Sequence, residues 1–262
     1  VKRRGFLLRG HVWLVYGFLY APIAILVFFS FNASRQTATW RGWTFDWYRQ
    51  LLVDEHILAS LRNSLTVGVA ATVIATAIGT LVALALGRYD FPGKALTRNL
   101  LFLPVIIPEI VVGAALVTFF GVARFRLSLA TVIIAHVVFS VSYVAIVVRA
   151  RLSGLDPSLE EAALDLGARP LQTFRRVTLP LILPGIASGA LLVFTLSIDD
   201  YVITSFVAGV GATTLPLQIY SMLKIGVTPE INAVSTLILA GTIALIVLAQ
   251  RLQRPPAERS EG

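Results

Sequence analysis

The chain has 262 residues, 56% hydrophobic and only 14% charged, with a mean hydropathy of +0.81 and a formal net charge of +8. A soluble domain carries about 25% charged residues to coat its surface, and a disordered chain is poor in apolar side chains, so neither class fits. The absence of cysteine excludes a disulfide-stapled secreted fold, which leaves an integral membrane protein.

About 20 apolar residues at roughly 1.5 Å each cross a bilayer core, so charge-free stretches mark candidate spans. Gly10–Ser34, Asn63–Gly87, Leu127–Val148, Val177–Ile198 and Ile231–Gln250 carry no Lys, Arg, Asp or Glu and run 20 to 25 residues. Asn99–Ala123 is as long but holds one acid, Glu109. These stretches predict an all-α membrane protein with six transmembrane helices, near 12–31, 63–87, 99–121, 128–149, 184–207 and 231–250, in one domain over 1–262. No segment alternates as barrel strands do. With the N-terminus inside, fifteen Lys and Arg fall in inner segments and six in outer ones, with Arg62 at a boundary, which predicts both termini cytoplasmic. That asymmetry accounts for most of the net charge, so no nucleic-acid partner is implied.

In the first helix the uncharged run exceeds the usual signal-peptide core of about 7–15 residues, so a retained span is expected. The outer connection 32–62 that follows holds Trp40, Trp43, Trp47 and Tyr48, residues favoured at the lipid–water boundary. The second helix places Ala71, Ala75, Gly79, Ala83 and Gly87 at every fourth position, a smooth ridge for close helix packing. Gly87 and Gly93-Lys94 look superficially like a phosphate loop, but Ala95 replaces the hydroxyl residue and no strand precedes it. In the third helix Glu109 lies near mid-membrane behind Pro104 and Pro108, where freed carbonyls can line a cavity. It either lines a path or holds a neighbouring helix.

The inner connection 150–183 is the most informative segment. Asp156 can cap a short helix with Pro157 at its first position, or Ser158 and Glu161 can form a capping box. Glu160 and Glu161 suit the positive helix end, and Gly167 supplies a left-handed stop. Leu159, Ala162, Ala163 and Leu166 fall at i, i+3, i+4 and i+7 and make one apolar face. A second short turn follows around Pro170 to Arg175. The apolar face rests on its own bundle and the headgroups, or it enters a groove on a soluble partner.

The fifth helix repeats the small-residue device with Gly185-x-x-x-Gly189 and ends its uncharged run at Asp199 and Asp200. Asp199 lies 14 residues beyond Gly185, roughly 21 Å across a core about 30 Å thick, toward the outer side. Neighbouring helix positions point about 100° apart, so both acids cannot face one axis unless the helix breaks there. One acid then lines a path and the other holds a neighbouring helix. The tail from Pro255 is polar.

Nucleophile and metalloprotease motifs are missing, and His11, His56 and His136 lie in different segments. No catalytic residue, metal or cofactor is expected on this chain. Energy must come from an ion gradient or a partner.

Glu161-Ala162-Ala163-x-x-x-Gly167, then nine residues, then Val177-x-Leu179-Pro180, resembles the EAA signature of binding-protein-dependent ABC importer permeases, with Val177 where the family has Ile. The resemblance implies the type I importer permease fold, with six spans, and a coupling helix that docks onto a cytoplasmic ATPase through Leu159, Glu161, Ala162, Ala163, Leu166 and Gly167. It implies two ATPase subunits holding ATP and Mg, a homologous permease completing the translocation path, and a solute-binding protein outside the bacterial inner membrane. ATPase closure would then turn the bundle from inward-open to outward-open. Ser197-Ile-Asp-Asp-Tyr-Val-Ile-Thr-Ser-Phe206, Thr214–Tyr220, Gly226–Asn232 and Leu103-Pro-x-x-x-Pro108-Glu109 are similar to the spermidine/putrescine branch. This suggests a polyamine cargo, with Asp199, Asp200, Glu109 and Tyr201 as candidate path or gate residues; ferric ion, aminophosphonate and opine cargo stay open. The alternative is an ion-driven secondary transporter using the same three acids, which leaves the loop's apolar face unexplained.

Overall fold

A computed structural model describes residues 2–34 and 39–253, and every regular element among them is a helix; one isolated bridge joins Asn32 and Trp43. The predicted tail from Pro255 lies outside the described residues. Contacts cluster into two units, one holding the chain up to Leu58 with Gln218–Val247, the other built on Ala59–Leu217.

The first unit opens with α1 (Lys2–Phe29), an apolar helix whose side chains from Arg9 onward stand largely exposed, as a helix bathed in lipid requires. Asn32 organises the connection behind it. Its Oδ1 accepts the N–H of Ser34 at 3.2 Å and of Arg41 at 3.0 Å, its Nδ2 donates to Thr39 O at 2.9 Å, and its carbonyl accepts the Trp47 indole at 2.8 Å. Phe28 stacks on Trp40 with centroids 4.4 Å apart. Short α2 (Asp46–Leu51) buries Trp47 and Leu51, and Asp54 caps the next helix by accepting Ile57 N–H at 2.9 Å. The unit closes with the end of α11 (Leu215–Ile225), a helix the hydropathy pattern does not predict, and with most of α12 (Pro229–Gln253).

In the second unit α3 (Glu55–Arg88) carries the small-residue ridge, with Ala71, Ala75 and Ala83 fully buried. A methyl added at Gly79 would meet Val144 at 2.7 Å, and one at Gly185 would meet Arg151 at 2.7 Å. So α3 and α9 (Leu179–Asp199) both close on α6 (Leu129–Ser153), as the ladder and the Gly185/Gly189 pair predict.

Two predicted helices are interrupted. The third, expected over 99–121, is α4 (Lys94–Ile106) and α5 (Glu109–Val122), bent by 110°. Pro108 has no N–H to give and forces Ile107 into an extended conformation at ψ 134°. Glu109 therefore opens α5 instead of lying ten residues inside a helix. The fifth, expected over 184–207, runs helically from Pro170 through α8 (Pro170–Thr173), one π turn (Phe174–Thr178) and α9, breaks after Asp199, and resumes as α10 (Val202–Val207). Among the described residues, four helices are long and apolar enough to span, five if the bent pair counts as one span, and Pro229–Ala244 of α12 is apolar but shorter.

Candidate functional site

The 150–183 connection forms the short helix that its residues predict. Asp156 Oδ1 accepts the Ser158 N–H at 2.9 Å, and this bond holds the exposed carboxyl below the ordinary carboxylate range. From it grows α7 (Ser158–Asp165). At the far end Gly167 N–H reaches Leu164 O at 2.9 Å and Ala168 N–H reaches Ala163 O at 3.1 Å, a Schellman closure around Gly167 at φ 86°. A residue with a Cβ would be strained there.

The face of α7 points away from the rest of the unit. Leu166 is 90% exposed and Leu159 48%, with Glu161, Ala162 and Gly167 also exposed and Ala163 half-buried. The opposite side is held by Glu160, which sequence reasoning treats only as a dipole partner. Its carboxylate pairs with the Arg88 guanidinium at the end of α3 and accepts the Thr178 hydroxyl at 2.6 Å. One acid thus ties α7 to α3 and to the π turn leading into α9. That turn has a local cause: Pro180 cannot donate to Arg176, and Leu179 N–H bonds back to Phe174 O.

The second candidate region is the break between α9 and α10. Asp200 is buried, and its carboxylate accepts Ile203 N–H at 3.3 Å, Thr204 N–H at 2.8 Å and the Thr204 hydroxyl at 2.7 Å. By capturing the amides that open α10, it stops the helix and restarts it. Thr204 has spent its one proton on Asp200, so it accepts from His136 Nε2 at 2.9 Å; Nδ1 pairs with Ser197 Oγ at 2.6 Å. Nε2 also lies 3.3 Å from Asp200 Oδ2. The fully buried His136 of α6 therefore bridges the last turn of α9 and the first of α10.

Asp199, by contrast, is exposed, and Tyr201 is half-buried in the break itself. Glu109 is exposed at the start of α5, which packs on α10. A methyl at Gly113 would strike Phe206 at 2.6 Å, a measure of how closely α5 and α10 approach. The loop after α10 is pinned to α3: Asn63 Nδ2 donates to Gly211 O at 2.9 Å and Thr213 O at 3.0 Å, and Ser64 Oγ accepts Leu215 N–H at 2.8 Å. Asp200 and Tyr201 lead into α10 and Glu109 opens the helix packed on it, whereas α7 packs on α8 and the π turn.

His136, Ser197, Thr204 and Asn63 are not singled out by sequence reasoning. The available signal was an ionisable residue inside a span, His136, and hydroxyls flanking the aspartate pair. Among the described residues no three His, Asp or Glu side chains converge as metal ligands. The exposed acids offer attraction for a cation, and the exposed apolar face of α7 offers a docking surface.

Residues 75–254 match the family described as binding-protein-dependent transport system inner membrane component. The chain is 41% identical over 251 residues to the spermidine/putrescine transport system permease protein PotC of Haemophilus influenzae, covering 96% of this chain and 98% of that one. It is 43% identical over 240 residues to the putrescine transport system permease protein PotI of Escherichia coli, covering 89% and 85%. In fold it resembles a subunit of a bacterial ABC transporter involved in alginate import, with a TM-score of 0.77 at 19% identity over 96% of each chain. It also resembles the inward-facing MetNI methionine ABC transporter, with a TM-score of 0.64 at 21% identity over 79% of this chain and 96% of that one. The chain is a multi-pass membrane permease and belongs to the binding-protein-dependent transport system inner membrane component family.

Proposed function

We propose that this chain is one of two permease subunits of an ATP-driven importer of polyamines, spermidine and putrescine among them, in a bacterial inner membrane. The observation that carries this reading is the 41% identity to a spermidine/putrescine permease over 96% of the chain. In this reading residues 1–262 form a single transmembrane domain of six spans, with the bent α4–α5 pair as one span, α12 as the sixth, and both termini cytoplasmic.

The exposed apolar side of α7, with Leu159, Glu161, Ala162, Ala163, Leu166 and Gly167, docks on a cytoplasmic ATPase. A second copy of that ATPase serves a homologous permease. ATP and Mg bind the ATPases, this chain binds no cofactor, and an external solute-binding protein delivers the cargo. Closure of the ATPases moves α7, and the Glu160 link to Arg88 and Thr178 passes that movement to α3 and α9. Asp199 and Glu109 attract the polyamine cation, Tyr201 follows Asp199 in the break, and Asp200 holds the geometry of that break.

The test is uptake by the full complex in liposomes with its binding protein. ATP-dependent spermidine uptake is expected. Uptake driven by an ion gradient without ATP, or ATP-dependent uptake indifferent to polyamines, overturns the reading.

A further inference from the structure

We propose that the cleft where α3 ends, α4 begins and α6 ends binds the phosphate headgroup of an anionic phospholipid. The cleft measures about 280 Å³ and is lined by apolar Leu86, Leu101, Phe102 and Ile146 together with Arg98 and Arg149. It lies at the end of the unit that carries α7, since Arg88 at the close of α3 pairs with Glu160.

The cations at this end fall into two groups. Arg88 pairs with Glu160, Lys94 with Asp90 at 2.9 Å, and Arg151 Nε donates to Leu181 O at 3.1 Å. Arg98 and Arg149, like Arg169, Arg175 and Arg176, have neither an ion pair nor a side-chain hydrogen bond among the described residues; what sets the first two apart is that they line the cleft, and Arg149 is the one described arginine that is half-buried. A guanidinium does not lose its proton, so withdrawing part of it from water without an acceptor is unfavourable until an anion arrives.

The chemistry of that anion follows from the walls. Two guanidinium forks from different helices suit the several oxygens of a phosphate. The apolar walls suit the acyl chains attached to it. Helix α4 has no buried residue, and its Leu96, Leu100 and Leu103 are exposed, so the lip of the cleft is a surface that lipid covers. Basic pockets between helices on the cytoplasmic side collect anionic headgroups for the same reason. A phospholipid held there joins the start of α4 to the end of α6. The inference rests on the membrane placement of the chain and not on its cargo.

The experiment uses the intact importer, with its partner subunits, extracted in mild detergent and weighed by native mass spectrometry. The wild type is expected to retain phosphatidylglycerol or cardiolipin. The double variant Arg98→Gln, Arg149→Gln is expected to retain about tenfold less, the loss of roughly one charge-assisted contact. If that variant does not assemble, delipidated wild type is titrated with phosphatidylglycerol and with phosphatidylcholine, and only the anionic lipid is expected to bind. Excess inorganic phosphate should leave the lipid in place. Equal lipid in both proteins, equal binding of the two lipids, displacement by free phosphate, or a cross-link from Arg149 to an acid of a partner subunit overturns the proposal.

Discussion

The α7 loop and the α9–α10 break each present two adjacent acids, and each divides them in the same way. In the loop, Glu160 turns inward to Arg88 and Thr178 while Glu161 is exposed. In the break, Asp200 turns inward to Thr204 and His136 while Asp199 is exposed. Successive side chains on a helix diverge by about 100°, so a doublet of acids supplies one anchor and one outward charge. The regions differ in what the anchor sits in. Glu160 is half-buried beside water, whereas Asp200 lies in a closed polar network within the bundle, where an unmet hydrogen bond costs far more.

The largest expected effect is therefore at the closed network. His136→Ala leaves Ser197 and Thr204 without their ring partner and is expected to destabilise the purified complex by about 3 kcal/mol. His136→Gln, which can keep a donor near Thr204, should recover part of that loss in thermal denaturation. Next comes the exposed side of α7. If α7 docks as proposed, Leu166→Asp is expected to cost an apolar contact of about 2 kcal/mol and to weaken ATPase co-purification by more than about tenfold without unfolding this chain.

The two aspartates should separate cleanly. Asp199→Asn is expected to raise the apparent KM for spermidine about fivefold, a loss of roughly 1 kcal/mol, with thermal stability unchanged. Asp200→Ala should act first on stability, because Ile203 and Thr204 lose their cap. If instead Asp199→Asn lowers stability and Asp200→Ala does not, the division into anchor and outward charge is wrong. Glu160→Gln is smaller again, about 0.5–1 kcal/mol for a partly exposed pair, and should reduce uptake per ATP hydrolysed with assembly kept.

The smallest effect is a pH dependence at the cap of α7. Asp156 is held below the ordinary carboxylate range by the Ser158 N–H, so its capping contribution is full above the unfolded value. It is lost only as pH falls through the lowered folded value. ATPase docking should therefore not change through this group between pH 6 and pH 8, which co-purification across that range checks.

The sequence carried the loop better than the break. Cap, stop and apolar face of α7 are local patterns, each written within about ten residues, and the Schellman closure at Gly167 follows the glycine. The ridge from Ala71 to Gly87 was legible for the same reason, as a fixed spacing. What stayed hidden depends on partners far along the chain. Glu160 looked like a dipole residue because Arg88 lies 72 positions away, and His136 looked idle because Ser197 and Thr204 lie 61 and 68 positions away. The bend at Pro108 was readable in principle, but the apolar run on both sides hid it.

The most direct test of the outward role of α7 places a photoreactive residue at Leu166 in the intact importer and asks what it labels. A cross-link to the ATPase subunit, abolished by Gly167→Asp, is the expected result. Labelling of phospholipid alone, with ATPase still bound and turning over, would contradict it.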